Sequence, residues 1–174
     1  MGAEHTSVPR WGVERPAPDP SARTLLLVGF GARGCAITTA WAADVPAGRP
    51  VEMLAADDAD EAVLAVLTAR IAAARVGWRL MLAGPEVDVL AARAVALRAG
   101  VLDAQIRCAV TSTDRKRVYC PHCRTTTGTT APVAGETPCD GCGRLLHVYA
   151  HVSRRAGAYL GFMADAEEVA SPRR

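Results

Sequence analysis

The sequence predicts an α/β fold: a small parallel sheet with flanking helices, followed by a C-terminal module of short antiparallel strands stapled by a metal. Three observations carry that prediction. Up to about residue 111, short apolar runs alternate with segments whose apolar residues recur every three to four positions. From Arg115 the texture changes to "RKRVYCPHC", a polar Thr/Gly stretch, "CDGCGR" and "LLHVYAHVSRR". Four of the six cysteines fall into two Cys-x-x-Cys pairs, Cys120/Cys123 and Cys139/Cys142, with fifteen residues between the pairs. A chain of 174 residues, half of them hydrophobic, has room for one ordinary domain plus a stapled mini-domain. The expected organisation is a disordered tail (1–22), an α/β domain (23–112), a four-cysteine ribbon with a docking strand (113–165) and a flexible C-terminus (166–174).

The first 22 residues carry Pro9, Pro16, Pro18 and Pro20 among polar residues, hence the expected tail. "TLLLVGF" (Thr24 to Phe30) reads as a buried parallel strand. "VEML" (Val51 to Leu54) is a weaker strand candidate. Asp57 or Asp58 can cap the helix that follows, whose apolar face is Val63, Leu64, Leu67, Ile71 and Ala74, and Gly77 stops it. "WRLMLAG" (Trp78 to Gly84) is another buried strand. Pro85 opens a helix with Val87, Leu90, Ala91, Ala94 and Leu97 on one face, ending at Gly100. "QIRCAVT" (Gln105 to Thr111) closes the series. Strand and helix in alternation imply right-handed crossovers and a parallel sheet.

Composition excludes several classes. Formal net charge is +2, too small for a polyanion binder, and residues 114–174 hold nine basic and six acidic groups. No nucleic-acid partner is expected. The ribbon-type nucleic-acid module remains an alternative, with Arg115, Lys116 and Arg117 as its tight basic cluster. There is no transmembrane run and no signal-peptide core, so the expectation is a cytoplasmic protein with no membrane partner. Reducing surroundings there favour metal binding over disulfides for paired cysteines.

Gly29-Phe30-Gly31-Ala32-Arg33-Gly34 has the letters of a dinucleotide fingerprint, and Asp57, 23 residues past Gly34, is a candidate acidic partner. Two readings stand: backbone amides cradling a pyrophosphate, or a tight strand-to-helix turn in a Gly- and Ala-rich chain. The segment Cys35 to Ala43 is Thr-interrupted and weakly helical by pattern.

Each Cys-x-x-Cys can form a knuckle that turns two sulfurs toward one metal. Two knuckles make the tetrahedral four-thiolate site of a zinc ribbon, with Cys120, Cys123, Cys139 and Cys142 as ligands. The expected cofactor is one structural zinc, and rubredoxin-like iron is the alternative. Four thiolates leave no open position for catalysis. His122 could replace a cysteine; His147 and His151 share a strand face and are read as exposed or partner-facing rather than as ligands. Cys35 and Cys108 are isolated, and Cys108 is expected to be buried. Tyr159, Leu160, Phe162 and Met163 either seal the ribbon against the α/β domain or dock on another protein.

"LMLAGPEVDVLAARAVALRAGVLDAQIRCAV" resembles the nucleotide-binding half of ferredoxin-reductase-like flavoproteins. Ala83 stands where that family has a cysteine before Gly-Pro. With only 23 residues ahead of the first strand, no flavin-binding barrel is expected, and NAD(P) chemistry by this chain alone is not expected either. The segments "RVYCPHC", "CDGCGR" and "LLHVYAHVSRRAGAYLGF" resemble the DmmA-like subunit family of bacterial dimethylamine monooxygenase, over roughly residues 24 to 168. That resemblance implies a multi-subunit, heme-dependent oxidative N-demethylase that converts dimethylamine, oxygen and NAD(P)H to methylamine and formaldehyde. Flavin, an iron–sulfur cluster and heme would lie in partner subunits. The role it implies here is non-catalytic and accessory. An NAD(P)-binding reductase component is a further alternative.

Overall fold

A computed structural model of the protein describes residues 7–12 and 15–164. The chain forms two compact units, one of residues 10–114 with the turn 154–157, the other built mainly from 115–153 and 158–164. No helix among the described residues is long and apolar enough to cross a membrane.

The first unit runs β1 (Thr24–Phe30), α1 (Gly31–Asp44), β2 (Val51–Ala56), α2 (Glu61–Ala72), β3 (Trp78–Gly84), α3 (Glu86–Arg98) and β4 (Ile106–Val110). Its strands are parallel, in the order β2-β1-β3-β4. The expected small parallel sheet with flanking helices is therefore observed. β1 and β3 are central and buried on both faces, which is why their sequences are continuous apolar runs rather than alternating ones. One face packs Leu26, Val28, Phe30, Leu80 and Leu82 against Leu67 and Ile71 of α2 and Val89, Ala92 and Ala96 of α3. The opposite face packs Leu25, Leu27, Met81, Ala83 and Ala109 against Trp41 of α1. Full burial of each such leucine stabilises the unit by about 1.5–3 kcal/mol.

Three details differ from the sequence expectation. The cap of α2 is Asp60, whose Oδ1 accepts the Val63 amide at 2.8 Å, rather than Asp57 or Asp58. The weakly patterned segment after the glycines is a full 14-residue helix. Its threonines turn inward on the helix itself: the Thr38 and Thr39 hydroxyls both donate to the Cys35 carbonyl, at 2.9 and 3.0 Å. In place of a disordered tail, residues 15–22 pack along the sheet, with Ala22 buried and the Pro16 carbonyl accepting from Trp41 Nε1 at 2.7 Å. The remainder of that tail at 1–6 and 13–14, and the expected flexible segment 166–174, lie outside the described residues.

The second unit contains β5 (Lys116–Tyr119), β6 (Thr126–Thr129), β7 (Glu136–Pro138), β8 (Leu145–Ser153) and β9 (Ala158–Met163) in one sheet of order β6-β5-β9-β8-β7. β5–β6, β7–β8 and β8–β9 are antiparallel, while β5 and β9 pair in parallel through Val118↔Tyr159 and Tyr119↔Leu160. Side chains alternate across the sheet. Val118, Leu146, Val148, Val152 and Tyr159 are buried on one face, and Leu145, Tyr149 and Phe162 are exposed on the other. The C-terminal aromatic stretch is thus the middle strand of the ribbon's own sheet, with Tyr159 and Phe162 on opposite faces.

Candidate metal centre

The two hairpins β5–β6 and β7–β8 each turn through one Cys-x-x-Cys. The turns are built alike. In the first, the Cys120 amide donates to the Thr125 carbonyl at 2.9 Å and the Arg124 amide donates to the Cys120 carbonyl at 2.8 Å. In the second, the Cys139 amide donates to the Arg144 carbonyl at 2.9 Å and the Gly143 amide to the Cys139 carbonyl at 2.8 Å. The residue after each second cysteine is left-handed, with φ 65° at Arg124 and 69° at Gly143. Glycine occupies that conformation without a Cβ clash; arginine occupies it at a cost of about 1–2 kcal/mol.

The tips are tied together before any metal is considered. The Asp140 amide of the second knuckle donates to Oγ1 of buried Thr127 at 3.0 Å. Gly141 lies against the first knuckle so closely that a Cβ there would sit 2.3 Å from Thr125 Oγ1 and 3.0 Å from Cys123 Sγ. Thr127, Thr125 and Gly141 were not singled out from the sequence. The one signal for them is position, each lying within a few residues of a cysteine.

This arrangement gathers all four expected ligands. The Sγ atoms of Cys120, Cys123, Cys139 and Cys142 lie within 4.8 Å of one another, with Cys120–Cys142 at 3.9 Å and Cys123–Cys139 at 3.4 Å. Disulfide sulfurs would be about 2.05 Å apart, so these are free thiols. Metal–sulfur bonds of about 2.3 Å in a regular tetrahedron give sulfur–sulfur edges of about 3.8 Å, and these two separations bracket that value. The residues present fit a tetrahedral thiolate-bound ion. His122 is exposed and outside the cluster, so the ligand set it could have entered is all cysteine.

The electrostatics agree. The Thr125 hydroxyl and amide, both donating to the sulfur, bring the Cys123 thiol down to about 6. At Cys142 the Arg144 amide pulls downward, but burial and the three neighbouring sulfurs outweigh it and push the thiol up to about 11. The Cys123 thiolate forms readily, and that of Cys142 is resisted by its surroundings. A dication removes that resistance by reducing four negative charges to a net of two.

The glycine-rich turn is a second arrangement. Gly31 starts α1 with φ 64°, and a Cβ on it would meet only the Asp57 carbonyl oxygen, at 3.8 Å. Asp57 is exposed, just past β2, so the structure brings it beside the turn. Gly29 and Gly34 are packing positions. A Gly29 Cβ would lie 2.9 Å from Cys35 Cα and N, and a Gly34 Cβ 2.4 Å from the Ala83 carbonyl oxygen. The strand order reverses between β1 and β3, where open α/β sheets bind their ligands. At the end of β3 there, two buried carboxylates open α3: Glu86 Oε1 accepts Trp11 Nε1 at 2.7 Å, and Asp88 Oδ1 accepts the Ala59 amide at 2.9 Å. Both suit the positive end of the helix dipole. Sequence reasoning missed this cluster because Trp11 falls in the segment expected to be disordered.

Of the isolated cysteines, Cys108 is partly buried in β4 and its burial pushes the thiol up to about 12. Cys35 lies on α1 with its thiol 3.5 Å from the Gly29 carbonyl. On the outward face of the ribbon sheet, His147 packs its ring 5.2 Å from Phe162, and Tyr149 meets Phe162 edge-on at 6.2 Å. Tyr119, Pro121, Tyr149, Leu160 and Phe162 line an apolar groove of about 340 Å³ beside them.

Fold and centre together define a two-unit protein: a doubly wound parallel α/β unit and a β-ribbon whose hairpin tips converge on four thiols. Residues 117–162, which hold that centre, match the family model described as "Dimethylamine monooxygenase subunit DmmA-like, C-terminal domain". The heme-dependent oxidative N-demethylase delta subunit of Ectopseudomonas mendocina (strain ymp) is 41% identical over 103 residues, covering 59% of this chain and 58% of that protein. Residues 117–162 are thus similar to a DmmA-like C-terminal domain, and both matches support the resemblance to DmmA-like subunits read from the sequence. No solved structure matches it.

Proposed function

We propose that this chain is an accessory subunit of a multi-subunit, heme-dependent dimethylamine monooxygenase, with structural and regulatory rather than catalytic duties. The observation that carries the reading is the 41% identity to a named subunit of an N-demethylase. In this reading heme, flavin and an iron–sulfur cluster belong to partner subunits in the cytoplasm, and those partners deliver electrons from NAD(P)H. Dimethylamine is converted to methylamine and formaldehyde on the heme subunit.

The chain's own cofactor in this proposal is one zinc held by Cys120, Cys123, Cys139 and Cys142. Zinc supplies a redox-silent charge that binds the two knuckles and contributes folding free energy to a small sheet. Gly29, Gly31, Gly34 and Asp57 form a structural turn rather than a nucleotide cradle. Close approach of Gly29 and Gly34 to backbone, and the positive φ of Gly31, account for each glycine without a ligand. The Glu86 and Asp88 carboxylates at the end of β3 disfavour a pyrophosphate there. The partner contact is assigned to the ribbon's outward aromatic face, which exposes Tyr149 and Phe162.

Co-expression of the tagged chain with the candidate partner subunits tests this. Co-purification of a heme protein and a flavoprotein, with demethylase activity in the assembly and none in the isolated chain, supports it. A chain that co-purifies with nucleic acid, or that alone oxidises NADPH, overturns it.

A further inference from the structure

The α/β unit carries a second feature, apart from the metal centre. Near the C-terminal end of α3, Leu97, Arg98, Arg154 and Arg155 line a concavity of about 580 Å³, within the roughly 300–1,000 Å³ range of small-molecule sites. Arg154 and Arg155 belong to the turn 154–157, which groups with this unit. The turn is held against α3. Gly157, with φ 59°, comes so close that a Cβ there would lie 2.3 Å from the Leu90 carbonyl oxygen. Arg98 Nη1 also donates to the Arg155 carbonyl at 2.8 Å.

Positive charge here exceeds its local compensation. Asp103 is the one carboxylate paired with the group among the described residues, and Arg93 already binds its Oδ1. Arg154 reaches the other oxygen only at 3.8 Å, with its side chain 74% exposed. The Arg98 and Arg155 guanidiniums have no carboxylate partner among the described residues. Four guanidiniums thus face one carboxylate and the negative end of α3, worth about half a charge. The surplus is about two and a half charges, and three of the guanidiniums line one concavity.

We propose that this concavity binds a polyvalent oxyanion of the phosphate-ester class. Guanidinium forks match phosphate oxygens two at a time, and a multiply charged head satisfies several forks in one step. The Leu97 side chain gives the rest of such a ligand an apolar wall. A dispersed acidic peptide surface would be served by a flat basic patch rather than by forks gathered around a hollow.

The test uses the full chain and inorganic pyrophosphate as probe, by titration calorimetry at low and at physiological ionic strength. Saturable one-to-one binding is expected, with affinity reduced about tenfold for each guanidinium removed and so about a hundredfold in Arg154→Gln/Arg155→Gln. Both side chains are exposed, so the melting temperature of this variant should be unchanged. Arg98→Gln serves as a second variant. No saturable binding at millimolar pyrophosphate overturns the proposal, as does binding that ignores the arginine substitutions. Preference for a hexaglutamate peptide over pyrophosphate, with the same arginine dependence, overturns it in favour of an acidic protein partner.

Discussion

Gly34→Ala tests the reading of the glycine-rich turn, because two effects of known sign oppose each other there. Gly34 lies inside α1, so alanine would favour the helix by about 1 kcal/mol on propensity alone. Against this, the new Cβ would stand 2.4 Å from the Ala83 carbonyl oxygen, 2.9 Å from its carbon and 3.1 Å from Gly84 Cα. All three are backbone atoms of a central strand and have no rotamer with which to yield. Relief requires α1 to lift from β3 by the better part of an ångström, an overpacking cost of about 3 kcal/mol at the upper end of the usual range. The net destabilisation is about 2 kcal/mol, or about 8 °C in the melting temperature of a unit this size. Gly31→Ala has open space, so only the positive φ penalises it, partly offset by the flexibility lost from the unfolded chain; about 0.5–1 kcal/mol and about 2–4 °C are expected. Far-ultraviolet thermal melts of both variants give the ordering. A Gly34→Ala protein that melts at or above the parent temperature would refute the packing argument and return the glycines to ligand binding.

Further outcomes are expected. Elemental analysis should find about one zinc per chain, and Cys120→Ser or Cys142→Ser should lose it and unfold the ribbon selectively; stoichiometric iron with a rubredoxin-like spectrum would contradict the zinc assignment. Arg124→Gly should retain metal against a chelator longer than the parent, whereas Gly141→Ala, which drives a methyl into Thr125 and Cys123, should release it sooner. Calorimetry should show no tight NADPH binding; low-micromolar affinity abolished by Gly31→Val would reverse that reading. The Asp19 carboxyl is held down at about 2, first by the Ser21 hydroxyl and amide and further by Arg79, so its folded value lies below the ordinary 3.8. Its contribution is therefore fully present above the ordinary value and is lost as pH falls through about 2; Asp19→Asn should flatten the acid limb of a stability–pH profile. Tyr149→Ala with Phe162→Ala should weaken assembly with partner subunits by orders of magnitude while zinc content and melting temperature stay near parent values, because both rings are exposed. Normal assembly by that variant would move the interface elsewhere.

What the sequence made legible follows from the range of the interactions involved. β1 and β3 announce themselves through burial, since strands covered on both faces admit little but apolar residues, and α3 through the buried apolar residues that follow its two acidic ones. The metal ligands are legible because Cys-x-x-Cys spacing is local chemistry. α1 is less so: its threonines lower helix propensity, yet their hydroxyls are absorbed by the Cys35 carbonyl and Trp41 anchors the far turn. The tail could not be assigned because β9's place beside β5 is fixed by a non-local parallel pairing that no periodicity reports. Once that pairing is known, period-two alternation separates buried Tyr159 from exposed Phe162. Arg124's own identity gives no sign of its left-handed turn. The repetition of the knuckle, with glycine at the matching place, is the hint that composition alone conceals.

The position of β9 has a consequence for biogenesis. A ribosome delivers residues 120 to 142 before 158 to 163, so all four thiols emerge while the sheet still lacks its central strand. During that interval β5 and β8 each present an unpaired backbone edge, the kind that recruits strands from neighbouring nascent chains. An ion captured at the hairpin tips would hold the two arms like the jaws of a clip until β9 slides between them. Metal supply during translation would then govern soluble yield more strongly than metal added to the finished chain.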